Sequence, residues 1–535
     1  MIPMNQRELH RTQAPIQAPE FFSFVAPFSS FEFIEKSFVK ASQSINRCFS
    51  LARSKKCVSF SLERINSIGI LESENEAILK AGWYTAPSIY RVAFYRIPVA
   101  SIEDVAKCIE GDVVGYAIIK ADGCDATSLR SYVFESVFLK YEHPHNCVNR
   151  PGEYSFAVGE IPLKIRGVLY CQQNGCNKAC AHVALRSLIS RHVPGHDVEY
   201  SELNDIASSV YPQETYDPAN GLDAAQIEAI LSAFDLKADG VDYLRDGAHE
   251  ESFMRDFPYR KFLYSGVESG VGGLLGFNCG GDSRHIIPVF GHTFNKDTWA
   301  SDAESAYFQV GSGLCYMPSD LWTSSFIAHD DNFGSDFCIP RLYVEPKQVD
   351  YVAGIFPKEI RLSGGDAEAI AIGLLPDLVK EMDLNNPWQK RLAEAFLLTA
   401  SYGARPQIVL RSLLISKDEY FARLKNVKDW ALNSERPDIL EFFAELSWPR
   451  RFWMVEVSLQ QLFPANEAKL GEFLLDAMSS VDLEDQPPGI SSFLFARLPG
   501  AYFFRDGDSA SSGFFRINSR LCSHVELRKL GDAQK

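Results

Sequence analysis

Two β-like runs, YSFAVGEIPLKIRGVLY (154–170), end directly in a cluster of cysteines, Cys171, Cys176 and Cys180, after which the pattern turns helical. Ala181, Ala184, Leu185 and Leu188 recur at i, i+3, i+4 and i+7, which predicts one buried face of a helix running from Asn177 to about Arg191. A strand that feeds a helix opening on a thiol needs an apolar surface for that helix to cover. Short apolar strands further on, His285–Gly291 and 325–330, offer one, with another helix predicted ahead of them at 222–236. This junction predicts an α+β domain in the middle third of the chain.

The rest of the chain is long enough for two further units. With 535 residues and 46% hydrophobic content, three domains is the ordinary expectation. Residues 1–20, polar and interrupted by prolines, read as a loose arm. From 21 to 165 a helical pattern at 33–51 is followed by β-rich runs at 90–99, 113–121 and 132–141, and then by the turn-rich stretch EHPHNCVNRPG (142–152). The middle domain spans 166–345. Beyond it, 346–535 has helical spacing at 366–382, 387–400, 417–432 and 437–447, a strand at 452–459, a helix at 465–478 and further β-like runs. The N-terminal unit is thus expected to be an α+β accessory domain and the C-terminal unit an α/β one.

A net charge of −16 argues against nucleic acid and anionic membrane surfaces, which call for a basic footprint. No apolar run reaches the length of a membrane span, and the polar N-terminus lacks the apolar core of a signal peptide, so a cytoplasmic location is expected. In that compartment the 12 cysteines read as free thiols, metal ligands or catalytic groups, not as a disulfide framework.

A nucleophilic cysteine needs a stabilised thiolate, and a helix N-terminus favours negative charge. Asn177 is a good N-cap residue, which places Cys180 in the first turn and Cys176 just outside. A thiolate also needs a base. Alternation along RHIIPVFGH (284–292) puts His285, Ile287 and Val289 on one strand face, with His292 as a competitor. The base needs an orienting group. In SFIAHDDNFG (325–334), Asp330 shares a face with Phe326 and Ala328; Asp297 and Asp302, in the intervening segment, are alternatives.

In order and context these runs resemble papain-like cysteine peptidases, including the branch that trims bacteriocin leader peptides. The likeness covers about 166–345 and rests on Gln172-Gln173 ahead of Cys180, on the strand His285–Gly291 that closes on a glycine, and on the run from Phe326 to Asp330. It implies a helix carrying the cysteine, packed on an antiparallel sheet carrying the histidine and the aspartate. It implies Cys180 as nucleophile, His285 as base, Asp330 as orienter, and Gln173 with the Cys180 amide as oxyanion donors. Cys-Asn-Lys-Ala-Cys-Ala also aligns Cys176 with the start of the bacteriocin branch, though without that branch's Gly and Pro. The expected activity is that of a cysteine peptidase or related thiol hydrolase acting on a protein or peptide through an acyl-enzyme, without cofactor or metal. Deamidation and acyl transfer use the same machinery. A regulatory protein partner would bind through the flanking domains.

Two other readings stand beside this one. A non-catalytic papain-like scaffold would keep the fold and bind a partner without turnover. A zinc module would use Cys171, Cys176, Cys180 and His182, but Cys180 and His182, two apart on a helix, point away from each other. The glycine-rich stretch 266–281 lacks the pattern of a phosphate-binding loop and is expected to be a flexible loop beside the site. Asp482, Glu484 and Asp485 read as a solvated acidic turn.

Overall fold

A computed structural model describes the chain except for residues 1–10, 12–14, 141–145, 149, 175–179, 194–196, 214–220, 247–257, 282, 295–307, 310–314, 341–343, 345–347, 400–405, 426–445, 464–467, 482–488, 506–513, 519–525 and 528–535. The fold is mixed, with helices packed on several largely antiparallel sheets. Among the described residues no helix is long and apolar enough to cross a membrane.

The N-terminal sheet has eight strands, with Val113–Gly123 and Arg130–Leu139 at its centre. Val113–Gly123 is buried along its whole length, which explains why VVGYAIIKADG reads as a nearly continuous apolar run: both faces are covered. The helices Ser30–Ser37 and Gln43–Ser54 cover one face through a phenylalanine-rich cluster that includes Phe49, Phe60, Phe94 and Phe138. The other face meets Val183 of the helix that begins at Cys180.

Of the arm expected to be loose, the described residues Arg11 and Pro15 are docked. Arg11 is buried and ion-paired with Glu135 and Asp197, its carbonyl accepts from Arg91 Nη1 at 2.7 Å, and Pro15 bridges to Ile65. The polarity that reads as solvation in the sequence instead serves a buried charge cluster.

The central sheet runs in the order Leu236–Asp242, Val349–Pro357, Gly273–Gly280, Ser283–Phe294, Thr323–Asp330 and Gly334–Pro340, all antiparallel. Two boundaries differ from the sequence expectation. Position 166 falls inside Ile161–Tyr170, a strand of the N-terminal sheet, and the central sheet runs past 345 to Pro357. The units are also knitted together, because Asn146–Val148 pairs with the histidine-bearing strand Ser283–Phe294. The glycine-rich stretch is likewise not a loop. Most of it is the end of the helix Tyr259–Glu268 and the strand Gly273–Gly280. Its glycines permit close packing: a Cβ on Gly273 would lie 2.6 Å from the Ala353 carbonyl oxygen.

The C-terminal sheet has eight strands, and one of its pairs is parallel, Cys315–Pro318 beside Ile408–Ile415. The segment between the histidine and aspartate strands therefore reaches across to join it. The flanking units are α+β in build, as expected of the N-terminal one and in place of the α/β build expected of the C-terminal one. The helix expected at 465–478 is instead the strands Ala468–Lys469 and Gly471–Asp476. Phe473 and Leu475 enter one core and Leu474 the other, so no polar face remains to reveal the two-residue period. The helices Gly364–Lys380 and Pro387–Thr399 match the spacing in the sequence, and Lys417–Lys425 matches its first part; 437–447 lies almost wholly outside the described residues.

Candidate active site

The helix Cys180–Ile189 is buried from Ala181 to its end. Val183 packs toward the N-terminal sheet, while Ala184, Leu185, Leu188 and Ile189 pack with Leu274, Ala353 and Ile355 of the central sheet. A helix clamped between two sheets has no solvent face, so its polar residues need internal partners. Arg186 finds Glu135 at 2.7 Å and Asp197 at 3.2 Å, and the His182 ring lies 2.9 Å from Asn204 Oδ1. Cys180, half-buried, is left at the open end.

Cys180 lines a cleft of about 1450 Å³ that also exposes Gln173, His285, Asp330 and Asn332. His285 lies on Ser283–Phe294, the strand that packs against the cysteine helix. Its ring stands edge-on to Phe277, its cross-strand partner. Nε2 is 3.1 Å from Asp331 Oδ1 and 3.5 Å from Asp330 Oδ1, and the Cys180 side chain is a further hydrogen-bonding partner of the ring. Burial works against charge on the ring, but the bonds to Asp330, Asp331 and Cys180 outweigh it, and the imidazolium is pushed up to about 12. Burial pushes the Asp331 carboxyl up, against the pull of His285.

The strand alternation that singles out Asp330 breaks at the site itself. The pairing with Gly334–Pro340 shifts register between Ala328 and Asp330, so consecutive carboxylates both reach the ring. Asp330 Oδ1 also accepts from the Asn332 and Phe333 amides at 2.8 and 3.2 Å, fixing the turn, whereas Asp331 is the nearer partner of His285. The Tyr170 hydroxyl reaches the Asp330 and Asp331 carbonyls at 3.4 and 3.5 Å and ties this turn to the N-terminal sheet. Asp331, Asn332 and Tyr170 are absent from the sequence reading. The adjacent Asp-Asp-Asn was the available signal, and strict alternation hid it.

The neighbouring glutamines separate cleanly. Gln172 Oε1 accepts from Ser42 Oγ and the Val133 amide, both at 3.0 Å, which holds it against the N-terminal domain, while Gln173 lines the cleft. His292 is not in the cleft. A register shift between Val289 and Gly291 sends it into the core, where Nε2 meets Glu268 Oε1 at 2.8 Å beside Arg411. Cys176, Asp297 and Asp302 lie outside the described residues.

The cysteine-rich metal cluster does not assemble from its described members. Cys171 is buried with its sulfur 3.3 Å from Arg186 Nη1, and His182 turns to Asn204. Among the described residues the group compact enough to share an ion is His285, Asp330 and Asp331, whose ligand atoms lie within 4.8 Å of one another. The same distances suit a protonated ring donating to carboxylates. Comparison of the chain with protein-family models, with curated proteins and with solved structures finds no match.

Proposed function

We propose that the chain is a papain-like cysteine peptidase or a closely related thiol hydrolase. The observation that carries this reading is the convergence, in one cleft, of a thiol at a helix start, an imidazole bonded to it, and carboxylates on the far side of that ring. The reaction starts with the proton on the His285 ring, where its bonds to Asp330 and Asp331 hold it.

With Nε2 facing the carboxylates, Nδ1 is the ring nitrogen left for the thiol in this mechanism. Cys180 sulfur attacks the substrate carbonyl, the C=O π electrons move to oxygen, and the oxyanion forms beside Gln173. One such donor contributes about 3 kcal/mol to the transition state. His285 then gives its proton to the leaving amine as the C–N bond breaks, leaving a thioester on Cys180. Neutral His285 next takes a proton from water, which attacks the thioester and releases the acid. Asp331, assisted by Asp330, holds the ring in line and balances its charge. With an amine in place of water the same steps give acyl transfer, and with a side-chain amide as substrate they give deamidation.

The test is turnover of a pool of fluorogenic peptides by the full chain and by Cys180→Ala, with mass spectrometry of the stalled enzyme. Turnover confined to the parent protein, with an acyl adduct on the Cys180 peptide, is expected. Turnover retained by Cys180→Ala, or no adduct and no turnover at all, would overturn the proposal and leave a binding scaffold as the better reading.

A further inference from the structure

A second thiol faces the same cleft. Cys279 is exposed and lies near the end of the strand Gly273–Gly280, where the pairing with Ser283–Phe294 steps from Asn278–Arg284 to Gly280–Ser283. Cys279 is therefore the unpaired residue of a β-bulge, a device that re-aims a side chain. Two positions before it, Phe277 pairs with His285 and touches its ring, and Cys279 lines the same cleft as His285 and Cys180. The charges of His285, Asp330 and Cys180 all reach its sulfur. Gly280 and Gly281 have φ of +111° and +62°, nothing lies within 4 Å of a Cβ built on either, and the turn is pinned by the Gly280 amide donating to Asn278 Oδ1 at 2.6 Å.

We propose that Cys279 is a resolving thiol for Cys180, so that a peroxide converts the site reversibly to a Cys180–Cys279 disulfide. This rests on Cys180 being the reactive thiol of the proposed hydrolase. In the first step the Cys180 thiolate attacks a peroxide oxygen and the O–O bond breaks. Sulfur is oxidised to the sulfenic acid, and the peroxide is reduced to water or an alcohol. In the second step the Cys279 sulfur attacks the Cys180 sulfur, an S–S bond forms, the S–O bond breaks, and hydroxide leaves with the thiol proton as water. A disulfide needs Cα atoms about 5.5–6 Å apart, and the open space around Gly280 and Gly281 leaves room for the strand end to adjust to that span. A dithiol reverses the state by exchange. Without Cys279 the sulfenic acid persists and is open to a second oxidation, to the sulfinic acid, which dithiols do not reduce.

The experiment treats the full chain, and separately Cys279→Ser, with a small excess of hydrogen peroxide. Each is then incubated with dithiothreitol, and iodoacetamide labelling of Cys180 is compared with that protein's own untreated rate. For the parent protein a Cys180–Cys279 cross-linked peptide and recovery of at least nine-tenths of labelling are expected. For Cys279→Ser the expectation is no cross-link, a sulfinic adduct on Cys180 and recovery several-fold lower. If Cys180 labels readily before peroxide but no cross-link forms and both proteins recover alike, the inference falls while the hydrolase reading stands. If Cys180 does not label selectively even before peroxide, both fall.

Discussion

Arg11→Met should destabilise the protein far more than its place near the chain terminus suggests. Arg11 Nε is 2.7 Å from Glu135 Oε1 and its Nη2 is 3.3 Å from Asp197 Oδ2. Arg186, on the cysteine helix, bonds the same two carboxylates at 2.7 and 3.2 Å, and all four side chains are buried. Two guanidinium groups thus balance two carboxylates away from water. Removing one cation leaves an uncompensated buried anion, a loss of about 3–5 kcal/mol. A Coulomb figure agrees: unit charges about 4 Å apart at an effective dielectric of about 20 interact by about 4 kcal/mol. Against a total stability of about 5–15 kcal/mol this is a large fraction. In urea melts followed by far-ultraviolet circular dichroism, the transition of the N-terminal sheet should fall by about 1–3 M. The sign of the reasoning is checked by Arg11→Met with Glu135→Gln, which restores neutrality and should be more stable than Arg11→Met alone. A loss under about 1 kcal/mol for the single variant, or a double variant weaker than the single, would refute the argument.

Other outcomes follow from the same geometry. The His285 ring is held protonated up to about 12 in the fold, against an ordinary value of about 6.5. Its pairing therefore stabilises the protein fully below about pH 6.5, and this contribution is lost as pH rises toward the folded value. The stability gap between the parent and His285→Gln should be widest near pH 6 and narrower at pH 9; a gap that widens with pH reverses the sign. Asp331→Asn should slow alkylation of Cys180 by about tenfold, equivalent to about 1.4 kcal/mol, and by more than Asp330→Asn does. The opposite order would return the orienting role to the residue that alternation selects. Arg411→Met should lower the unfolding midpoint, because Arg411 holds Glu268 at 2.6 Å and Glu456 at 2.8 Å in a fully buried network that also takes in His292. An unchanged midpoint would mean the network contributes nothing to joining the central and C-terminal sheets.

The site was legible in the sequence where one local rule governs it, and hidden where two rules compete. The helix after the cysteine cluster, the strand of His285 and the strand ending at Asp330 follow from periodicity alone. Asp331 was invisible because a bulge interrupts the alternation, and His292 passed for a competitor because a second register shift buries it beside Glu268. The cysteine helix showed one apolar face, yet both sides are covered, and Arg186 and His182 lie in the interior because their partners come from distant parts of the chain. Arg11 carries the same lesson, since no local pattern announces a cation whose acids lie at 135 and 197. The strand Gly471–Asp476 was read as helix because Phe473, Leu474 and Leu475 are all apolar, and only the presence of two cores explains that run. The strand pairing between the three segments was hidden for a related reason. The strand Asn146–Val148 and the strand Cys315–Pro318 each leave their own segment to pair in a neighbouring sheet.

The central claim, that Cys180 and His285 form a reactive thiol–imidazole pair, is tested most directly by labelling the native full chain at pH 7 with a limiting amount of iodoacetamide. Labelling is mapped by peptide mass spectrometry in the parent protein and in His285→Ala. Cys180 should react first, ahead of the exposed Cys124 and Cys338, and the His285 change should slow it to the rate of an ordinary thiol. If Cys180 reacts no faster than Cys124 and Cys338, and His285→Ala leaves its rate unchanged, the pair is structural and the proposed chemistry is wrong.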